Sequence, residues 1–421
     1  MITRIQALNF RSLRYVDQSL TGFQALVGPN GSGKSSFLDV VSFISDVIRV
    51  GVEKATSGDA ASGVSSRVSD PVDLTWMRSG GQIELAIEMQ IPEHLQSGPN
   101  QSVRYELGLQ VAKLPSPLEI SSEALYLFDA FSKRSNAQEE LSLFPNAELP
   151  LDSTFGRKPK SWKNPISKSA GGKDYFRSES GSFRTQFNLG KYSSALAGLP
   201  SDESRFPIAM WAREFLSGAI QRIQLDAEAM RKASPPGQTS AYRPNGSNLP
   251  WVIDAFKKKG EPGRFRLWVE HVADAVPGVK DVRVIVREDD RYAYLIVEFE
   301  NGLVAPSWVL SDGTLRIIAL TLLAYLGLEG ATLLIEEPEN GVHPRAIQSV
   351  VDGLRQVTDG QVIMASHSPV VLGTLDPRDV LCFAKDDLGA TAIVRGENHP
   401  ILRDWRNRPD LGELLISGVL G

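Results

Sequence analysis

The stretch FQALVGPNGSGKSSFLDVVSFISDVIRV, Phe23 to Val50, decides the fold. Its first residues are apolar and run into Gly28, as a short buried strand does before a turn. After the glycines, Phe37, Val40, Val41, Ile44, Val47 and Ile48 recur at helical spacing until Gly51. The reading is strand, glycine loop, helix. Within the loop, Gly28-x-x-x-x-Gly33-Lys34-Ser35 has the spacing of a phosphate-binding P-loop in the context that motif requires. Glycines let backbone N–H groups converge on phosphate oxygens, and the helix N-terminus adds positive partial charge. Lys34 is expected to reach the β and γ phosphates of ATP, and the Ser35 hydroxyl to ligate Mg²⁺. Asn30, Gly31, Ser32, Gly33 and Ser36 complete the expected cradle.

Outward from this stretch, IQALNF before it and QIELAIEMQI and VRYELGLQV after it read as strands, while Glu53 to Asp70 turns to Gly, Ala, Ser and charge and reads as a loop. Order returns near Phe265. VKDVRVIVRE and YAYLIVEFEN read as a hairpin, LRIIALTLLAYLGL as a buried helix, ATLLIEEPEN and GQVIMASHSP as buried strands with the helix AIQSVVDGLRQV between them. Strands alternating with helices imply a largely parallel sheet, whose ligand sites lie at the strands' carboxyl ends. There stand Glu336 and Glu337, expected to hold Mg²⁺ and to orient or deprotonate the attacking water respectively. There too stands His367, placed to hydrogen-bond a γ-phosphate. Leu310-Ser311-Asp312-Gly313-Thr314 opens a helix, with Ser311 as its cap. His94, His271, His343 and His399 show no metal-ligand spacing.

Residues 112–264 are poorly periodic, with Pro-Ser-Pro, Gly-Gly and Pro-Pro-Gly punctuation and helical patterning only near FPIAMWAREFLSGAIQRIQL. They read as an α-rich insertion without the sustained heptads of a coiled-coil arm. Ser153 to Lys191 holds nine Lys or Arg against Asp174 and Glu179, a local excess of +7 inside a chain of net charge −5. The whole chain, 421 residues with 42% apolar and 23% charged, excludes the disordered, collagen-like and disulfide-scaffold classes. Cys382 is the only cysteine, no secretion signal is seen, and the longest largely apolar run, Ile317 to Leu328, is too short for a bilayer. A cytoplasmic protein without a membrane span is expected.

P-loop, Leu-Ser-x-Gly turn, Glu-Glu strand end and Ser366-His367-Ser368-Pro369 occur in the order seen in ABC-type ATPases. They look most like the RecF, SMC and OLD branch. Asn9-Phe10-Arg11-Ser12-Leu13 and Glu336 to Pro344 resemble compact bacterial ATPases of that branch, many of them encoded in phage-defence operons. The resemblance implies an α/β head with a mixed or parallel core sheet and N-terminal antiparallel strands, built from residues 1–111 and 265–421 around the insertion 112–264. It implies that Ser311 and Gly313 form the signature turn completing the ATP site of a second subunit. Arg11 and Ser12 would approach base or phosphates, Glu337 would be the catalytic acid and His367 the switch histidine. The relatives carry Asp more often where Glu336 stands, and Gln82 is a weak candidate for the γ-phosphate-following Gln. OLD-family nucleases continue into a Toprim domain; only 54 residues follow His367, so that nuclease is not expected.

The function so implied is an ATP-hydrolysing homodimer that sandwiches two ATP molecules. It would gate a DNA clamp or a separately encoded effector in antiphage defence, with DNA along the 153–191 segment. A RecF-like repair ATPase and a low-turnover scaffold or toxin inhibitor share the same nucleotide chemistry. The ending from Asn398 through Trp405 to Leu414 reads as a docking segment or a cap on the sheet.

Overall fold

The computed structural model describes residues 1–96, 98–111, 118–129, 153–169, 171–259 and 262–399; most of the C-terminal docking segment lies outside them. β1 (Ile2–Phe10), β2 (Leu13–Ser19) and β3 (Phe23–Val27) lead through the glycine loop into α1 (Lys34–Val50) and α2 (Val52–Ser57). β4 (Gly81–Gln90), β5 (Ser102–Val111), β6 (Glu119–Phe128), β7 (Lys163–Ser169), β8 (Lys173–Arg177) and β9 (Arg184–Asn188) follow. Next come α3 (Pro207–Glu214), β10 (Ile220–Ile223), α4 (Ala227–Arg231), α5 (Leu249–Lys259) and α6 (Pro262–Ala275). β11 (Val279–Val286), β12 (Ala293–Phe299), β13 (Val304–Pro306), α7 (Asp312–Leu322), β14 (Thr332–Glu336), α8 (Pro344–Arg355), β15 (Gln361–Ser366), α9 (Pro369–Thr374), β16 (Val380–Lys385) and β17 (Thr391–Arg395) complete the order.

Three sheets result. An antiparallel sheet runs β2-β1-β4-β5-β6-β7-β8-β9, a second runs β10-β14-β15-β3-β16-β17, and β11-β12-β13 form the third. In the second sheet all neighbours are parallel except β16 and β17. Alternation along its strands explains why it is buried on both faces. Leu26, Leu334, Ile363, Leu381 and Phe383 face α1 and the antiparallel sheet. Ala25, Val27, Leu333, Ile335, Val362, Met364 and Cys382 belong to the other core, with α5 to α8. Helix α1 is therefore buried along most of its surface, Phe37, Phe43 and Ile44 being fully buried and Asp39, Ser42 and Ser45 enclosed with them.

The middle segment enters both sheets: β6 to β9 extend the antiparallel sheet and β10 edges the parallel one, beside helices α3 to α5. Two local expectations are corrected. The helical pattern read through FPIAMWAREFLSGAIQRIQL stops after α3 and the π-turn Phe215–Ala219, because Ile220–Ile223 finds a parallel partner in β14. The stretch expected as a loop after Glu53 starts in α2 and is pinned by Arg67, which reaches Asp39 at 2.9 Å and Asp46 at 2.7 Å. No helix among the described residues is long and apolar enough to cross a membrane.

Candidate nucleotide site

The second sheet places β3, β14 and β15 side by side, so the glycine loop, the two glutamates and His367 meet at its carboxyl edge. Gly28 lies where a Cβ would stand 2.2 Å from the Phe383 carbonyl oxygen, so no other residue fits against β16. Gly33 is the N-cap of α1, left-handed at φ 109°, and no side chain caps the helix. The first-turn N–H groups are therefore left for an anion. The Lys34 ammonium donates to the carbonyls of Gly28 at 2.7 Å and Pro29 at 2.9 Å, folded back on its own loop. Burial lowers its pKa, opposed by the negative charges of Glu337, Glu339 and Glu336.

The Ser35 hydroxyl donates to Glu336 Oε2 at 2.5 Å. Both are hard oxygen donors of the kind Mg²⁺ takes alongside phosphate oxygens. The other oxygen of Glu336 is ion-paired with Arg222 of β10. Glu337, one residue on, is held at φ 48°, a left-handed backbone that a glutamate adopts at some cost. Its N–H donates to the Ala365 carbonyl at 2.8 Å, and its Oε1 lies 3.1 Å from His367 Nδ1. Ser366 donates to Glu339 at 2.5 Å and fixes the loop that follows the two glutamates.

A second set of contacts fastens the glycine loop from the rear. Ser12 donates to Ser36 at 2.9 Å, and Thr391 of β17 donates to the Ser32 carbonyl at 2.9 Å and lies 3.2 Å from the Ser12 hydroxyl. The β1–β2 turn is set by Asn9 and Arg11, both at positive φ, with the Asn9 amide donating to the carbonyls of Gly80 and Gln82. Arg11 is tied to the second turn of α1, its Nε lying 2.8 Å from Asp39. Gln82 is exposed on β4 and its side chain reaches Glu84.

Ser311 caps α7, accepting from the Thr314 N–H at 3.1 Å. Gly313 sits so close to the loop after Glu337 that a Cβ would stand 2.5 Å from the Gly341 carbonyl oxygen. Arg231 holds the turn from the side, donating to the Leu310 carbonyl at 3.1 Å and pairing with Asp312. Among the described residues no hydrogen bond or ion pair joins this turn to Gly28–Ser36 of the same chain. His343 caps α8 and His271 bonds the Ser349 carbonyl, both structural roles.

The basic segment is partly spent internally. Lys158 pairs with Glu106, Lys191 with Glu119, and Lys168 with Asp174 in a fully buried pair at 2.6 Å. Among the described residues Arg157, Lys160, Lys163, Lys173, Arg177 and Arg184 form no ion pair with a carboxylate. Arg177 and Arg184 both lie near the face of Tyr175.

Sequence reasoning missed Arg222 and Thr391. Arg222 sits in a stretch whose apolar spacing favoured a helix, and Thr391 in a strand with no motif of its own; neither carries a local signal.

The family model described as "AAA domain, putative AbiEii toxin, Type IV TA system" matches residues 23–373. No curated protein matches the chain. Among solved structures, the SmcHead bound to the C-winged helix domain of ScpA is similar at a TM-score of 0.53 and 16% identity, covering 93% of this chain and 96% of that one. The Pyrococcus furiosus Smc head domain with an extended coiled coil follows at 0.47 and 15%, covering 96% and 99%. The Thermotoga maritima SMC head domain stands at 0.42 and 10%, covering 94% and 98%. At these identities the first match shows a shared fold, an ABC-type head of the SMC kind.

Proposed function

The chain belongs to the AAA family described as "AAA domain, putative AbiEii toxin, Type IV TA system", and from that premise we propose that it is an ATP-hydrolysing switch that closes as a homodimer around two ATP molecules. One observation carries the reading. The Ser35–Glu336 contact and the Glu337–His367 contact stand side by side at one sheet edge, beside an uncapped helix N-terminus.

The chain's own groups divide the work. The N–H groups of Asn30 to Ser36 and the Lys34 ammonium would bind the β and γ phosphates, Lys34 leaving the carbonyls of Gly28 and Pro29 to do so. Ser35, with Glu336 behind it, would hold Mg²⁺, which when bound neutralises charge on the phosphate oxygens. Glu337 would take a proton from the attacking water, and His367 orients the Glu337 carboxylate. The signature turn at Ser311 and Gly313 makes no hydrogen bond or ion pair with its own glycine loop among the described residues, which supports a role in completing a partner's site. The segments 1–111 and 265–421 would then form the ATPase head, with 112–264, joined to both of its sheets through β6 to β10, carrying the change of state outward. Gating a separately encoded effector in antiphage defence, with DNA held by the unpaired basic residues of 153–191, is the use we propose for that motion. Such DNA contacts should weaken steeply with salt.

The test is Glu337→Gln, with mass measured with and without ATP and Mg²⁺ and phosphate release followed in parallel. Removal of a general base typically costs about 10²- to 10⁴-fold in rate. The expected result is loss of turnover with accumulation of closed dimer. A chain that remains monomeric at saturating ATP overturns the sandwich, and unchanged turnover and assembly would instead mark a scaffold.

A further inference from the structure

The edge strand β10 brings a charged side chain to the nucleotide site that no phosphate-binding loop requires. Its register with β14 is parallel, with Arg222 opposite Leu334 and Ile223 opposite Ile335. Residues two apart on a strand share a face, so Arg222, Leu334 and Glu336 project to the same side of the sheet, while Ile223 and Ile335 go into the core on the other. A slip of one residue would have turned the guanidinium away. In this register it reaches along the sheet to Glu336 Oε1, while Ser35 occupies Oε2. The longer glutamate side chain spans the gap between the two donors.

The consequences for a metal ion are electrostatic. Both oxygens of Glu336 are engaged, the Ser35 hydroxyl is donated, and Arg222 cannot shed its proton. Glu337 is engaged with His367 and the Lys34 ammonium with loop carbonyls, so Arg222 is the cation in direct contact with Glu336. No group of three His, Cys, Asp or Glu able to hold a metal exists among the described residues.

We propose that Arg222 is the resident counter-cation of Glu336, holding the acid as an outer partner of Ser35 and making divalent-metal binding conditional on the triphosphate. Before nucleotide binds, the fixed positive charge of Arg222 beside Glu336 would repel an approaching divalent ion. ATP brings negative oxygens that outweigh that charge. Ser35 would then hold the metal, and Glu336, still held by Arg222, would support it as an outer partner. Arg222 is thus a positioning residue, and the inference rests on the proposed nucleotide-binding reading.

Mn²⁺ serves as the probe, its free concentration read by electron paramagnetic resonance on the full chain with and without the β,γ-imido analogue of ATP. The wild type is expected to bind Mn²⁺ only with the analogue. Arg222→Gln removes the charge and keeps a donor. It is expected to bind Mn²⁺ without nucleotide, and to lower the half-saturating Mn²⁺ with analogue by about tenfold, the size of a screened repulsion between like charges a few ångströms apart. Arg222→Lys, which keeps the charge, is expected to stay near wild type. In a Glu336→Gln background, removing Arg222 is expected to strengthen Mn²⁺ binding again, which gives a second reading should the single variant be unstable. Equal or weaker Mn²⁺ binding by Arg222→Gln overturns the inference. Failure of the wild type to bind the analogue at all overturns the nucleotide reading beneath it.

Discussion

Replacing Gly33 by alanine tests whether the glycine loop is seated by the strand behind it. At φ 109° an L side chain is strained, and a Cβ would stand 2.0 Å from Thr391 Oγ1, 2.9 Å from Thr391 Cγ2 and 2.9 Å from Ser12 Oγ. The backbone penalty is about 1–2 kcal/mol. Thr391 must also move, giving up its bond to the Ser32 carbonyl, a further ~1 kcal/mol. Together these make about 2–3 kcal/mol, which is about 30- to 150-fold in affinity if the loop must be in place before nucleotide binds. The assay is titration with a fluorescent ATP analogue in a double-mutant cycle with Thr391→Ala. Thr391→Ala removes both atoms that the new Cβ would meet on β17. In that background Gly33→Ala is expected to cost the backbone part, about 5- to 30-fold, with only the Ser12 hydroxyl left to shift aside. An equal cost in both backgrounds, or a loss under about threefold in the wild-type background, refutes the seating.

Two further outcomes follow from buried charges. Nucleotide binding needs Lys34 protonated, and burial lowers its pKa below the ordinary 10.5, so affinity should be intact at neutral pH and decline as pH rises, before an exposed lysine would titrate; Lys34→Arg should abolish that decline, as a pH series of the same titration will show. Lys168 and Asp174 are fully buried together, so Lys168→Met should destabilise by about 3–5 kcal/mol in denaturant unfolding. Adding Asp174→Asn removes the orphaned charge while keeping an acceptor for the Leu189 N–H, and should recover most of that loss.

Legibility followed sequence distance. Strand, glycine loop and helix at Phe23 to Val50 are a local unit whose periodicity changes from strand to helix within one turn, and they were readable without any partner. The buried strands at Leu333 and Val362 were readable because a parallel sheet covered on both faces demands continuous apolar runs. Arg222 was not, because its meaning comes from register with a strand more than a hundred residues later, and the same residues suit a helix until β14 is alongside. Thr391 acts on Ser32 and Ser12 from the far end of the chain. The ion pair of Arg11 with Asp39, made from a left-handed backbone, likewise has no signal in the motif. In the middle segment β7 to β9 escaped because these strands are short and polar-rich, with β9 at the sheet edge and exposed along most of its length, while β6 is interrupted by Ser121, Ser122 and Glu123.

The interior position of β3 has a consequence for how the chain is made. All eight strands of the antiparallel sheet have been synthesised once Asn188 is translated, and none of their pairings reaches beyond it. The strand that carries the glycine loop waits far longer, since Phe23 pairs with Val362 and Ala25 with Val380. Until then both its edges are open, an arrangement prone to wrong pairing in a nascent chain. A polypeptide stopped before Gln361 would own a finished N-terminal sheet and a complete glycine loop, yet no strand on either side of β3. Nucleotide retention therefore doubles as a certificate of full-length synthesis, and protease protection by ATP along a series of truncated translation products should appear only once β16 has emerged.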